Sequence, residues 1–208
     1  MGSFCNSLVN TIGSVDGLIE KNQEIVAKLN KYAKLLIESL PKEKSIKLVD
    51  FININTGKLN ANQADLNGKY PFFTCSENQT YINTYAFDCE AILVSGNGSQ
   101  LGYTNYYKGK FNAYQRTYVL TAEKWFYIWY FALKHNINKI TSQAIGSAIP
   151  YLTKPMFEEF SINVFNNNTS NDLLNNKLGA LTNMIFRYQS KISQLERIKS
   201  LLLNKYFS

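Results

Sequence analysis

"TIGSVDGLIEKNQEIVAKLNKYAKLL", residues 11–36, is the stretch that decides the architecture of this chain. Its apolar positions recur at steps of three and four residues, and Asn22 interrupts them with a polar side chain. This spacing collects apolar side chains into a narrow stripe along one face of an α-helix, as in the seam of a coiled coil. The stretch therefore predicts a rod-like helix that precedes any compact domain and needs a partner.

The C-terminal stretch "KLGALTNMIFRYQSKISQLERIKSLLLNKYF", residues 177–207, repeats this rhythm in the same register after a shift of 166 positions. Two matching apolar stripes predict that the helices bury their seams against each other, in either a parallel or an antiparallel arrangement. A polar residue such as Asn22 in the seam can fix the register. The candidate pairing residues are Val15, Ile19, Asn22, Val26, Leu29, Leu36, Leu181, Ile185, Tyr188, Ile192, Leu195 and Leu202.

Between the two rods the pattern changes to strands and turns. Pro41 ends the first helix, frequent glycines punctuate the segment that follows, and "AILVS" (91–95) and "RTYVLT" (116–121) are typical of strands. Residues 123–135 predict a buried helix, and Pro155 predicts the start of a short one.

The polar stretch 163–172 predicts a linker that returns to the second rod. The predicted fold class is α+β, with one mixed, β-rich globular domain flanked by two long coiled-coil-like helices. The expected boundaries are 1–41 for the first helix, 42–170 for the globular domain and 171–208 for the second helix.

Composition and targeting signals narrow the possible classes. The chain has 208 residues, of which 45% are hydrophobic, so it can bury a substantial core. It contains no run of 18 apolar residues, and its start, "MGSFCNS", lacks the basic and apolar regions of a secretion signal. Asn6 stands where a myristoylation signal has Ser or Thr. We expect a cytoplasmic protein.

Metal, cofactor and catalytic chemistry have little support in the sequence. Cys5, Cys75 and Cys89 are widely spaced, and His135 is the single histidine of the chain. The glycines of "GNGSQLG" (96–102) miss the dinucleotide-binding pattern by one residue, and no phosphate-binding loop motif occurs. We predict a non-catalytic protein without metal or cofactor.

Positive charge is distributed unevenly along the chain. The formal net charge is +7, and residues 99–154 carry seven Lys and Arg residues against the single acid Glu123. These cations alternate with Tyr, Asn, Gln, Ser and Thr, a mixture that suits a nucleic-acid surface because cations neutralise phosphates and polar groups read base edges. An ordinary solvated basic surface is at least as compatible with the charge alone.

Arg116 is the best candidate for reading a base, because its guanidinium can make two parallel hydrogen bonds to guanine. Lys108 and Lys110 lie in or beside turns from which a long cation can reach DNA, and the "SGNGS" turn lets the backbone approach closely. Alternate residues of a strand point to opposite faces, so some residues around Arg116 must be core. The other candidate DNA contacts are Tyr114, Gln115, Thr117, Ser95, Asn97, Ser99, Ser142 and Lys154.

The middle segment resembles the target recognition domain of a Type I restriction-modification specificity subunit, and the two rods resemble the spacer helices of that family. The resemblance rests on residues 69–120 with "FNAYQRTYVL", on "ITSQAIGSAIPYLTKPMFEEFSI" (140–162), and on the heptad helices. Family members resemble two recognition domains that alternate with two spacers, so this chain resembles a half-length form.

The resemblance implies a non-catalytic subunit that reads one half of a bipartite site in double-stranded DNA. Its helices would dock the methyltransferase (modification) subunit and a restriction or translocase subunit. A rod over 12–36 is about 38 Å long, close to one turn of DNA, roughly 34 Å. A homodimer, or a pair with another specificity subunit, would thus read an inverted repeat. The alternative is a coiled-coil protein-interaction module with a β-rich, ligand-binding globule.

Overall fold

The computed structural model describes residues 2–207, with side chains from Asn10 to Lys205. It contains two compact units. One comprises residues 39–175, and the other comprises the two chain ends, up to Glu38 and from Asn176 onward. We call the first the globular unit and the second the helical unit.

The helical unit is an antiparallel pair of long helices, α1 (Gly2–Glu38) and α5 (Asn168–Phe207), of which the first turns of α5 belong to the globular unit. Asp16, toward the start of α1, forms an ion pair of 2.6 Å with Lys199, toward the end of α5. Tyr32, near the end of α1, stacks beneath the ammonium of Lys177 in the first half of α5, with 5.1 Å between nitrogen and ring centroid. These two contacts fix the antiparallel orientation.

All twelve candidate pairing residues are buried or half-buried. Val15, Ile19, Leu181 and Ile185 are buried, together with Ala33, Ile37 and Leu178. The other eight are half-buried: Asn22, Val26, Leu29, Leu36, Tyr188, Ile192, Leu195 and Leu202. The side-chain amide of Asn22 donates a hydrogen bond to the carbonyl oxygen of Leu18 within α1, which satisfies it inside its own helix.

The globular unit is built on a six-stranded sheet in the order β2-β7-β5-β6-β3-β4. The strands are β2 (Ile52–Thr56), β3 (Tyr70–Phe73), β4 (Thr80–Ile82), β5 (Phe87–Ser95), β6 (Thr104–Ala113) and β7 (Thr117–Ala122). Neighbouring strands are antiparallel, except that β3 runs parallel to β6. A second, two-stranded sheet pairs β1 (Lys44–Lys47) with β8 (Ser161–Val164).

The predicted strand segments lie in the middle of the sheet, as their burial requires. The "AILVS" stretch is fully buried in β5, because side chains pack on both faces of this strand. One face carries a cluster that includes Leu93, Phe111 and Val119. On the other face, Tyr106 of β6 packs against Phe126 and Tyr130 of helix α2 (Phe126–Asn136).

The sheet curls until its edge strand β2 approaches the end of β6. Leu59, just beyond β2, forms a parallel bridge with Tyr114, just beyond β6. Gly57 permits this approach, because a Cβ atom there would lie 1.9 Å from the carbonyl oxygen of Ala113. Short helices α3 (Asn138–Thr141) and α4 (Lys154–Glu158) complete the unit.

The predicted polar linker over 163–172 is wrong for most of its length. Strand β8 extends to Val164 and α5 begins at Asn168. Asn171 is fully buried, and its side chain both accepts from the backbone N–H of Phe165 and donates to the carbonyl of Phe165, at 3.1 and 3.0 Å. Asn171 thus ties the first turn of α5 to Phe165, and the side chain of Asn167 caps the helix by accepting a hydrogen bond from the N–H of Thr169 at 2.8 Å. The polar composition predicted a linker because these bonds are not visible in it.

The α+β fold class with two long flanking helices is confirmed. Within residues 2–207, no helix combines the length and the apolar character that a membrane crossing requires.

Candidate nucleic-acid interface

The connection between β6 and β7, residues 114–116, is held by its neighbours through backbone hydrogen bonds. The N–H of Tyr114 donates to Phe73 O at 2.9 Å, and the N–H of Gln115 donates to Leu59 O at 2.9 Å. The N–H of Thr117 donates back to Tyr114 O at 2.8 Å. These bonds fix a tight turn, from which the side chains of Gln115 and Arg116 project into solvent.

Arg116 is the cation of this turn. Its carbonyl oxygen accepts hydrogen bonds from the N–H of Gly96 at 2.8 Å and from the thiol of Cys75 at 3.4 Å. Its guanidinium carbon lies 5.7 Å from the ring centroid of Tyr151, within the range of a cation–π contact. The backbone of Arg116 is therefore fixed, while its guanidinium is exposed and oriented by an aromatic ring.

Two loops meet beside Arg116. The loop 96–103 closes through hydrogen bonds from the N–H of Gly102 to Ser95 O and from the N–H of Leu101 to Gly98 O. Gly98 has a φ of +80°, a backbone conformation that glycine adopts without strain. No atom lies within 4 Å of the position that a Cβ atom would take there. Asn97 is half-buried and Ser99 is exposed at this turn.

The second loop spans residues 145–151. Asn97 forms a bridge with Tyr151, and the N–H of Leu152 donates to Gly96 O at 2.8 Å. The hydroxyl of Tyr118 also donates to Leu152 O at 2.9 Å. We refer to residues 96–99, 114–116 and 145–151 together as the Arg116 surface.

The electrostatics of this surface reflect the charge of Arg116. Burial raises the pKa of the Tyr118 hydroxyl, and the positive charge of Arg116 partly offsets this rise. Burial also raises the pKa of Tyr103, with a smaller contribution from the carboxylate of Glu77. The charge of Arg116 therefore acts on the hydroxyl of Tyr118, and the charge of Glu77 acts on the hydroxyl of Tyr103.

Lys108 and Lys110 make their contacts with residues of another cluster. The Lys108 ammonium lies 3.8 Å from a carboxylate oxygen of Glu90, and the Lys110 ammonium lies 4.7 Å from the ring centroid of Tyr85. Glu90 also accepts hydrogen bonds from the hydroxyls of Tyr106 at 2.8 Å and Tyr127 at 2.7 Å. Both lysines are exposed. The ammonium of Lys108 is thus paired with Glu90, whereas the ammonium of Lys110 lies over the ring of Tyr85.

The remaining candidates differ in accessibility. Ser95 and Thr117 are buried, and the Thr117 hydroxyl donates to Phe73 O at 3.0 Å. Ser142 is exposed just after α3, where its hydroxyl donates to Lys139 O at 3.5 Å. Lys154 is exposed at the start of α4 and lines a shallow depression beside strand β2. Only the exposed candidates are available to a macromolecular ligand.

Sequence reasoning missed Tyr151, Cys75 and the apolar residues of the 145–151 loop as neighbours of Arg116. The signal in the sequence is weak: the Gly and Pro of "IGSAIPY" indicate a turn but not what it contacts. Across the described side chains, no group of three His, Cys, Asp or Glu residues lies close enough to hold a metal ion.

Comparison with known proteins identifies the family. Residues 41–169, more than half of the chain, match the family model described as the Type I restriction modification DNA specificity domain. The specificity subunit of the Type I restriction enzyme EcoDI from Escherichia coli is 40% identical over 158 residues, which are 74% of this chain and 34% of that protein.

Solved structures show the same fold. The S subunit of a Type I restriction-modification system from M. genitalium superimposes with a TM-score of 0.75 at 19% identity, over 96% of this chain and 59% of that one. The HsdS subunit from Thermoanaerobacter tengcongensis gives a TM-score of 0.51 at 15% identity, over 96% of this chain and 57% of that one.

This chain spans about a third of the length of the curated relative and less than three fifths of the two solved subunits. The family match covers the sheet, the turn that carries Arg116 and both loops beside it. The chain therefore belongs to the Type I restriction-modification DNA specificity family.

Proposed function

We propose that this chain is a non-catalytic specificity subunit that reads one half of a bipartite double-stranded DNA site through the Arg116 surface. The observation that carries the proposal is the exposed guanidinium of Arg116, held on a fixed turn and oriented by Tyr151. A pre-oriented guanidinium suits guanine, which offers two acceptors in the major groove. Family membership supports DNA as the class of ligand, and the exposure of Arg116 on a fixed turn supports it as the contact residue.

The other candidates that are exposed or half-buried take supporting roles in this proposal. Gln115, Tyr114, Asn97 and Ser99 surround Arg116 and offer hydrogen-bonding groups to neighbouring bases. The residues assigned to the DNA backbone are Lys108, Lys110, Ser142 and Lys154. Ser95 and Thr117 are left out because both are buried.

The helices serve as the assembly module in this proposal. We assign 1–41 and 171–208 to spacer helices, 42–170 to the recognition domain, and docking of methyltransferase and restriction or translocase subunits to the helices. The division of the fold at residues 38/39 and 175/176 supports nearly the same boundaries.

We further propose that the helices bind a second copy of this chain. Large apolar side chains stay exposed after α1 and α5 have paired, and they include Leu18, Leu35, Met184, Phe186, Ile198 and Leu201. Two copies related by a two-fold axis would present two recognition domains to an inverted repeat.

Selection from random duplex DNA tests the recognition role. Wild-type protein should enrich a gapped motif, and binding should weaken steeply between roughly 50 and 200 mM salt. Arg116→Lys keeps the charge but loses the two-pronged geometry, so it should relax the preference at one base pair and leave the salt dependence unchanged. Random duplexes that bind as well as the enriched ones would contradict the proposal.

Light scattering tests the homodimer. Phe186→Glu should convert a dimer to a monomer, while Gln189→Glu, an exposed polar position on the same helix, should leave the mass unchanged. A wild-type monomer would contradict self-association. The alternative function is a protein-interaction module, and the exposed apolar residues of the helices support it. Binding to another protein that depends little on salt concentration would favour that alternative.

A further inference from the structure

The 145–151 loop, which we call the finger, is closed by backbone hydrogen bonds. Ile145 and Tyr151 exchange two backbone hydrogen bonds, from the N–H of Ile145 to Tyr151 O at 3.1 Å and from the N–H of Tyr151 to Ile145 O at 2.9 Å. Gly146 has a φ of +100°, and a Cβ atom there would lie 2.8 Å from Ile149 O. The turn thus requires glycine at this position, and Pro150 restricts the backbone further.

The finger carries two exposed apolar side chains. Ile149, near the tip, is 64% exposed, and Ile145, at the base opposite Tyr151, is 50% exposed. A single exposed apolar residue is ordinary on a protein surface. Here, two branched apolar side chains occupy one short loop that hydrogen bonds hold in place, so little conformational entropy remains to be lost when the loop meets a ligand.

The base of the finger fixes its position beside Arg116. Tyr151 contacts the guanidinium of Arg116 and bridges Asn97, and Leu152 is hydrogen-bonded to Gly96. The finger and the candidate base-reading cation therefore belong to one surface. A ligand that engages Arg116 therefore lies beside the base of the finger, which Tyr151 forms.

Duplex DNA presents one apolar group in the groove where a guanidinium reads guanine, the C5-methyl group of thymine. We propose that Ile149 contacts a thymine methyl next to the base pair read by Arg116, which makes the 145–151 loop a determinant of sequence specificity. This inference rests on the proposed function as a DNA reader.

The experiment uses the duplex enriched by the wild-type protein and replaces each thymine in turn with deoxyuridine, which removes only the methyl group. One replacement should weaken wild-type binding about fourfold, the effect of losing one buried methyl. Ile149→Ala should bind the unmodified duplex more weakly by a similar factor, and it should no longer respond to that replacement. Leu66→Ala, at an exposed apolar position in another loop, should behave like the wild type.

The outcomes separate the inference from the function on which it rests. If the wild type selects a motif and Arg116→Lys relaxes it, but no deoxyuridine weakens binding, the thymine contact is wrong and the DNA-reading function stands. If Ile149→Ala weakens binding to all duplexes alike and keeps its response to deoxyuridine, the finger supports the fold only. Circular dichroism melting checks that the variant is folded. A wild-type chain that selects no motif would overturn both.

Discussion

The guanidinium of Arg116 lies 5.7 Å from the ring centroid of Tyr151, and this contact joins the β6–β7 turn to the 145–151 loop. A cation–π contact at an exposed site contributes about 0.5–1 kcal/mol. That energy is small for stability, but it reduces the number of side-chain orientations that Arg116 samples. The consequence is a guanidinium that is oriented before any ligand arrives.

Substitutions of Tyr151 test this orientation. Tyr151→Phe keeps the ring face and should bind the selected duplex like the wild type. Tyr151→Leu removes the ring and should reduce discrimination at the base pair that we propose Arg116 reads by about two- to fivefold. Competition binding with single-base variants of the duplex measures the effect. Equal discrimination by the Phe and Leu variants would show that the ring does not orient Arg116.

Substitution of Lys110 tests the proposed contacts with the DNA backbone. Lys110→Ala should weaken binding to all duplexes alike and reduce the slope of log affinity against log salt by about one, as expected when one phosphate contact is lost. Titrations at several salt concentrations measure the slope. Lys28→Ala, an exposed position in the helical unit, is the control and should leave the slope unchanged. A slope that Lys110→Ala does not alter would remove Lys110 from the interface.

Glu90 tests the link between the sheet and α2, because its carboxylate accepts hydrogen bonds from Tyr106 and Tyr127. Glu90→Gln loses the charge that strengthens both bonds and should lower the free energy of unfolding by about 1–3 kcal/mol. Asp88→Asn, an exposed position two residues earlier on β5, should change it by less than about 0.5 kcal/mol. Urea denaturation compares the two variants, and equal losses would contradict a specific role for Glu90.

The same cluster predicts a loss of stability in alkali. Burial and the hydrogen bond to Glu90 raise the pKa of Tyr127 from 10.0 to about 12, and they raise the pKa of Tyr106 as well. A pKa that is raised in the folded state adds stability below pH 10, and this stability is lost as the pH rises through 12. Urea denaturation between pH 9 and 12 should show the loss, and Tyr127→Phe should reduce its steepness. A stability independent of pH in this range would contradict the contact.

Substitution of Gly57 tests the close approach of strand β2 to the end of β6. Gly57→Ala places a methyl group against the carbonyl of Ala113 and should destabilise the globular unit. Gly13→Ala, on α1 with no atom near the added methyl group, should instead stabilise its helix by about 0.5–1 kcal/mol. Thermal melting of both variants should therefore show shifts of opposite sign. A neutral Gly57→Ala would contradict the close approach of β2 to β6.

Several elements could be predicted because their cause is local. The three-and-four spacing of apolar residues predicts α1 and α5, and the continuous apolar run of "AILVS" predicts a buried strand, since both patterns follow from backbone geometry. The linker prediction for residues 163–172 was wrong because it rested on local composition alone. Asparagines are typical of loops, and composition does not show that Asn167 caps the helix or that Asn171 binds Phe165.

The candidate site could be predicted only in part. The basic charge and Arg116 were evident from residue types, but the burial of Ser95 and Thr117 was not, because alternation along a strand does not say which face is covered. Tyr151 and Ile149 could not be assigned to the Arg116 surface, since they reach it through a loop whose position depends on bonds to Gly96 and Asn97.

The sequence by itself determined the two helices, the β-rich segment between them and the concentration of positive charge, because periodicity and composition are properties of neighbouring residues. The tertiary structure decided the antiparallel pairing of the helices, the closure at Gly57 and the group of residues around Arg116. These features arise from contacts between residues that are distant in the chain. Their free energy depends on distances in space, which no local pattern encodes.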